Sequence, residues 1–312
     1  MKGSTLDYAE LHLHTQFSIM DGLSTADEYC RRAHEIGIDT LACTDHSTAA
    51  GHREFLKACT EHNINAILGV EAHLAGGMDK EARFERKSKA KRQDGEDSEL
   101  YYHMILLAKN DNGLKNIYKM EEAAWNESFY NKPLIGLDLL EQYHEDVIMT
   151  TACVSGPIGR NIMNGKEDYA LQWLHKLKDI FHDDMYVELQ EHNDGIHKGL
   201  NHQLIKMADE NNIKLVATSD CHHASPDDLW LQEALLILNT NPKKNPEPVM
   251  SKTTKMDFLE KMNYLYPERK MTFEHADVHL SNADEKRVRY EAQGITRTDI
   301  YTNTLEVADK VG

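Results

Sequence analysis

The chain has 312 residues, 40% of them hydrophobic, and a formal net charge of −17 at pH 7. That composition supports a real core in one large domain or two small ones, while the acidic balance excludes a surface that grips nucleic acid over its whole extent, because phosphate contact needs Lys and Arg. No apolar run reaches the length of a membrane span and MKGSTLDYAELH lacks the basic-then-apolar layout of a signal peptide, so a cytoplasmic protein with no membrane partner is expected.

In chain order, apolar runs rich in β-branched residues alternate with amphipathic stretches, the pattern of alternating strand and helix. About seven such runs are predicted. The first, residues 9–15, holds His12 and His14; in an extended strand they share one side, about 7 Å apart, while Leu11 and Leu13 take the other. A helix over 25–36 ends at Gly37, a second strand covers 40–45, a helical segment lies around 52–62, and the third strand, 66–74, carries Glu71 and His73. Residues 80–92, KEARFERKSKAKR, then hold seven basic residues against two acidic ones, with acidic QDGEDSE following. This reads as a solvated loop, with a phosphate-attracting flap as the sharper alternative. The fourth strand is 102–108, followed by a helix over 113–128; the fifth, 147–154, ends in Cys153 and the turn-like SGPIG. The sixth, 185–190, follows a long helix centred on Trp173 and sets Glu188, Gln190 and His192 on one side; the seventh, 214–220, closes on SDCHH.

Seven strand-and-helix units predict a parallel α/β architecture, a barrel rather than an open sheet, whose active site lies at the C-terminal strand ends. His14, His46, Glu71, Cys153, Asp220 and His222 fall there, whereas His103 stands at the start of its run. After Asn239, NPKKNPEPVMSK reads as an irregular crossing, and the polar remainder holds too little apolar periodicity for a core of its own. The predicted division is therefore a barrel over 1–240 and a C-terminal extension over 241–312 packed on it.

Eighteen histidines against three tryptophans, several beside Asp or Glu, point toward metals, and the five cysteines (Cys30, Cys43, Cys59, Cys153, Cys221) form no Cys-x-x-Cys pair and are expected reduced. Together His12, His14, Asp21, His46, Glu71, His103, Cys153, Asp220 and His222 offer nitrogen, oxygen and one sulfur ligand, too many for one ion. At about four to six positions per ion, some filled by water and with Glu71 as the natural bridge, they suit two or three divalent metals. Histidines with a thiolate fit zinc, and the carboxylates leave manganese or iron as alternatives. Clustered divalent ions acidify bound water and neutralise phosphoryl charge, which is what phosphoester hydrolysis requires, with His12, His14, Asp21, Glu71 and Asp220 as candidate catalytic residues. There is no Gly-x-Ser-x-Gly elbow, Gly-rich dinucleotide turn or Lys-bearing phosphate loop. Covalent catalysis through Cys153, crowded by other ligands, is set aside.

The segments HLHTQFSIMDG, ACTDHS, GVEAH, YHMILLAKN, TTACVSGPIG, YVELQEH and ATSDCHH resemble, in order and spacing, the PHP (polymerase and histidinol phosphatase) domain family. LAKNDNGLKN, CVSGPIG and NTLEVADKV are similar to its branch at the N-terminus of the bacterial replicative DNA polymerase III alpha subunit rather than to free-standing phosphatases. The resemblance covers nearly the whole chain and implies a distorted barrel of seven strands holding up to three metals. The family's nine metal positions match the nine residues above, with none missing. An intact set implies a metal-dependent 3′–5′ exonuclease that removes misincorporated nucleotides, with the 3′ end of single-stranded DNA as substrate and the polymerase core and other replisome subunits as partners. Two alternatives stand beside it: a phosphatase acting on a histidinol phosphate-like or nucleotide substrate, and a metal-stabilised structural or partner-docking domain. His73 and Cys221 depart from the family's usual aromatic or aliphatic residues and are read as packing. No clustered polymerase aspartates are recognisable beyond Asp227 and Asp228, so polymerisation is not expected.

Overall fold

A computed structural model describes residues 6–84, 101–192, 195–245, 248, 250–269 and 271–312. The predicted basic segment from residue 85 onward, with the acidic stretch after it, lies outside the described residues. Helices form where the local signals are strongest. The first, α1 (Ala26–Ile36), starts under a reciprocal cap between Thr25 and Glu28 and stops at Gly37, whose φ of 78° suits a residue without Cβ. The next, α2 (His52–His62), stops at Asn63 in the same left-handed conformation. Those that follow are α3 (Asp111–Glu127), α4 (Leu137–Tyr143), α5 (Pro157–Met163), α6 (Glu167–Phe181), α7 (Ile196–Glu210), α8 (Leu229–Thr240), α9 (Phe258–Leu265), α10 (Ala283–Ala292) and α11 (Asp299–Asp309). No described helix is long and apolar enough to cross a membrane.

Six strands, β1 (Thr40–Cys43), β2 (Asn65–Ala75), β3 (Tyr101–Ala108), β4 (Val147–Thr150), β5 (Met185–Gln190) and β6 (Lys214–Thr218), form one curled sheet in sequential order. The predicted first strand closes it without being regular. Ala42 N donates to Glu10 O at 2.8 Å and Thr44 N to Leu13 O at 3.0 Å, while on the other side His14 N donates to Cys221 O at 2.7 Å and Cys221 N to His12 O at 3.0 Å. Residues 9–14 thus join both edges into a distorted barrel. The expected alternation breaks within this run: Leu11 packs with the barrel interior and Leu13 with the outer core, so the two do not share a face. A kinked segment serving two edges cannot keep one pleat.

The expectation of an all-parallel sheet also fails. Strand β3 is antiparallel to both β2 and β4. Among the described residues the β2–β3 connection contains only the short turn Ala82–Phe84 and no crossover helix of the kind a parallel return usually uses. The reversal has a functional consequence: the start of β3 lies at the rim where the other strands end. His73 pairs with His103, and Glu71 with Ile105.

The sheet separates two apolar layers. Helix residues such as Tyr29, Phe55, Ile117, Trp173 and Leu204 pack with Val70, Leu106, Met149, Val187 and Leu215 on the convex face. Ala42, Ile67, Ile105, Ile148, Tyr186 and Val216 form the concave interior, joined by Val307 from α11. Along each strand the two-residue period carries this inner row from apolar to polar: Ile67 leads to Glu71, Tyr186 to Glu188 and Val216 to Thr218. The barrel is plugged at one end and polar at the other.

One buried carboxyl group on the convex side predicts a pH effect. Glu121 on α3 is buried, its carboxyl oxygens lack hydrogen-bond partners among the described residues, and burial pushes its pKa up to about 8 against a weaker lowering by the Trp125 indole. Because the folded pKa exceeds the unfolded one, this proton's contribution is complete below the ordinary glutamate value of 4.5 and is lost as pH rises through about 8. Glu121→Gln should therefore exceed the parent in urea stability by roughly 1–3 kcal/mol at alkaline pH and match it at mildly acidic pH. Parallel pH profiles would refute this.

Candidate metal centre

All nine candidate ligands converge at the polar end of the barrel. His12 and His14 lie 0% exposed on the kinked first run. Above them, Asp21, His46, Glu71, His103, Cys153, Asp220 and His222 line one cavity of about 270 Å3. Glu71 is central: its Oε1 is 2.8 Å from His103 Nδ1 and 3.5 Å from His12 Nε2, and its Oε2 is 2.7 Å from His46 Nδ1 and 3.3 Å from His14 Nε2. Asp220 Oδ1 stands 3.0 Å from His12 Nε2 and 3.3 Å from His14 Nε2, and Asp21 Oδ2 3.3 Å from His46 Nε2. Cys153 Sγ sits at the edge, 3.9 Å from His103 Nδ1. It follows β4 rather than ending it, for the strand stops at Thr150 and Ala152 takes a φ of 56°.

Local backbone geometry sets this convergence. Ser47, Ala152 and Asp220 are non-glycine residues with φ of 45°, 56° and 51°, each beside a ligand or itself one. Left-handed turns held by the surrounding fold are common where a site needs a side chain re-aimed. Gly22 is required for a different reason: a Cβ there would lie 1.9 Å from Thr15 O, so only glycine lets the loop bearing Asp21 fold back this tightly. Gln232 Nε2 on α8 then pins that loop through Asp21 O at 2.5 Å.

The hydrogen bonds around the imidazoles test whether the set suits metal ions. His12 Nδ1 faces the Glu188 carboxylate at 2.7 Å, and His222 Nδ1 faces the Asp220 carbonyl at 2.8 Å. Ser18 gives its own proton to Asp45 and so accepts from His14 Nδ1 at 2.9 Å. Each ring is thereby held with its proton on Nδ1 and its Nε2 lone pair toward the centre, where His12 Nε2 and His14 Nε2 stand 3.1 Å apart. Outer carboxylates and carbonyls orient metal-binding histidines in this way. Asp21 Oδ1 is buried with no hydrogen-bond partner among the described residues. The charge balance agrees: burial disfavours protonated His46, yet Glu71 and Asp21 push its pKa up to about 10. Burial likewise opposes ionised Glu71, but His103, His46 and His12 hold its carboxyl well below the usual range. The centre demands positive charge, and three groups of donors, His14–His46–His222, His12–His14–Glu71 and His46–Glu71–His103, are close enough to hold ions.

Glu188 is a residue at the site that sequence reasoning left unassigned, although its place with Gln190 and His192 on one side of 185–190 was legible. It gathers Thr150 Oγ1 at 2.5 Å, Thr218 Oγ1 at 2.6 Å and Gln190 Nε2 at 3.1 Å around the carboxylate that faces His12. Glu188→Gln should weaken metal affinity by about 10- to 100-fold, measured by competition with a chelator. Equal affinity would mean that the carboxylate does not orient His12. His73 meets Ser47 Oγ at 2.7 Å and His103 edge-on at 5.4 Å, and Cys221 is buried in the outer core.

An α/β barrel whose polar rim gathers groups able to hold metal ions defines the class of fold and site. The chain belongs to the PHP domain family, whose profile matches residues 10–192. Among curated relatives, the DNA polymerase III subunit alpha of Aquifex aeolicus is 39% identical over 74% of this chain and 20% of its own length. Those of Thermus aquaticus and Borreliella burgdorferi are 33% and 31% identical, over 76% and 77% of this chain and 19% and 20% of their own lengths. The chain thus spans about a fifth of the length of these relatives. Two solved structures are similar at low identity. An amidohydrolase from Chromobacterium violaceum has a TM-score of 0.44 and 14% identity over 71% of this chain and 89% of that one. A two-domain protein from Bacteroides vulgatus, described as containing a predicted PHP-like metal-dependent phosphoesterase, has a TM-score of 0.40 and 13% identity over 71% and 55%.

Proposed function

We propose that this chain is a metal-dependent phosphodiesterase acting as a 3′–5′ exodeoxyribonuclease, the proofreading PHP domain of a DNA polymerase III alpha-like protein. In this reading residues 1–240 are the catalytic barrel and 241–312 lead toward a polymerase core. One observation carries it: Glu71 lies within 3.5 Å of four imidazoles, and two of these, His12 and His14, together with the neighbouring His222, are held with Nε2 inward. Kinship with polymerase III alpha subunits supports the choice of DNA over other phosphoesters.

The nine donors fit two or three divalent ions, zinc foremost, with manganese or iron as alternatives. Such ions supply Lewis-acid polarisation of a phosphoryl oxygen and acidify water. The chain's own residues do the positioning. His12, His14, Asp21, Glu71 and Asp220 form the catalytic floor, with His46, His103, Cys153 and His222 completing the ligand set. Ser155, Gln190 and His192 face the same cavity and offer polar contacts to a bound nucleotide. The partners proposed are a single-stranded 3′ end, the polymerase core and other replisome subunits, in the cytoplasm.

The test is a single strand labelled at its 5′ end and incubated with protein in manganese or zinc. A descending ladder ending in mononucleotides is expected, with no extension when deoxynucleoside triphosphates are added. The small cavity favours one other reading, a phosphatase for a small phosphomonoester. Intact DNA together with efficient monoester cleavage would select it, and hydrolysis of neither would leave a structural or docking domain.

A further inference from the structure

The cavity over the cluster has a roof whose role the assignment above leaves open. Its floor is the ligand set, and the chain after the barrel crosses above it, with Met271, Phe273 and Val278 facing in. The Phe273 ring lies 4.7 Å from that of His222. Both ends of this span are fastened. At one end the fully buried Glu233 carboxylate on α8 accepts from Phe273 N at 2.6 Å and Thr272 Oγ1 at 2.9 Å, and pairs with Arg269 at 2.7 Å. At the other end Val278 O accepts from His222 N at 2.8 Å, and Leu280 N donates to His223 O at 3.2 Å. A buried carboxylate at one end and backbone bonds at the other make a fixed cover, since local opening must break them together.

The space beneath is small. Its volume of about 270 Å3 is below the roughly 300–1,000 Å3 usual for drug-sized ligands. One nucleotide unit fits such a space and several do not. An internal phosphodiester has chain on both sides of the scissile bond, so it needs an exit at each end of the cavity, whereas a strand terminus needs only one. Phe273 presents an apolar ring against which a base can stack, and Gln190 and His197 lie on the polar wall.

Building on the nuclease reading, we infer that the roof over 271–278, with Phe273 at its centre and Glu233 as its anchor, restricts the site to one terminal nucleotide and so determines specificity for strand ends. Glu233 does not line the cavity and acts only by holding the roof.

The experiment compares the parent with Glu233→Ala on a linear single strand, a covalently closed single-stranded circle of the same sequence, and bis(4-nitrophenyl) phosphate. Hydrogen exchange of the 272–278 amides reports the state of the roof. The parent should shorten the strand and spare the circle. In Glu233→Ala those amides should exchange at least about tenfold faster, and the circle should be nicked at least about tenfold faster than by the parent, with small-ester turnover retained. Should Glu233→Ala fail to fold, Arg269→Met loosens the same anchor. A parent that nicks the circle as fast as it shortens the strand overturns the inference, as does a variant with a loosened roof that still spares the circle. If the parent cleaves the small ester but no DNA, the exonuclease reading falls by itself. The roof then stands only if loosening it admits the strand, and falls if it does not. A parent inactive on all three substrates overturns both.

Discussion

Asp220→Asn is expected to lower the rate of single-strand shortening by at least about a hundredfold while leaving the fold intact. The substitution keeps size and shape, and asparagine tolerates the left-handed backbone that Asp220 adopts, with φ 51°. What it removes is a charge. Burial alone would favour the neutral acid, but His12 and His222 hold the Asp220 carboxyl well below the usual range, so the residue is ionised and its oxygen faces two Nε2 atoms. An amide nitrogen or a neutral oxygen in that place holds a cation less well and stabilises less developing charge. The measurement is the initial rate on a 5′-labelled strand, with circular dichroism for the fold and elemental analysis for bound metal. Activity within about threefold of the parent would exclude Asp220 from the catalytic floor.

Much of this arrangement was legible because it rests on short-range signals. The two-residue period that puts Ile67 on the concave face also puts Glu71 there, and the caps at Thr25 and Gly37 bound α1 before any packing is known. His14, Glu71 and Asp220 could be collected from the ends of apolar runs because barrel strands bring those ends to one rim.

What stayed illegible depends on chain path. An apolar run reads the same in either direction, so nothing in residues 102–108 announces that β3 runs against its neighbours. His103 therefore looked misplaced at the start of its run, though the reversal brings it to the rim. The kink between Leu11 and Leu13 arises from serving two sheet edges at once, a tertiary demand with no local signature. Residues 283–292, ADEKRVRYEA, belong to the polar remainder that shows too little apolar periodicity for a core of its own, yet Lys286 within them is buried against a carboxylate 95 residues earlier in the chain.

Lys286→Met is accordingly expected to destabilise the protein by about 3–5 kcal/mol, the usual result of removing one partner from a buried ion pair. The ammonium is fully buried, 3.0 Å from Glu191 Oε1 and 3.3 Å from Glu10 Oε2, bonded to Ser219 Oγ, and above the Tyr8 ring. Burial disfavours its charge, but Glu191 and Glu10 raise its pKa. Reciprocally, burial raises the Glu191 pKa while Lys286 and Arg289 pull it down to about 2. In the parent, this depressed carboxyl contributes stability present above the ordinary glutamate range and lost as pH falls through about 2. Without Lys286 the Glu191 carboxyl loses the larger of the charges that depress its pKa and binds a proton more readily, so the deficit should be greatest near neutrality and narrow toward acid. Combining the change with Glu191→Gln should recover part of the loss, because one of the two buried acids that lost the ammonium goes with it. The metal centre should feel the change too: Glu10 Oε1 accepts from His12 N at 3.1 Å and from Ser219 N, the residue before Asp220, at 3.3 Å. Urea denaturation across pH, with metal content measured on the folded fraction, decides the matter. A deficit independent of pH and untouched by Glu191→Gln would show that Lys286 acts through packing alone.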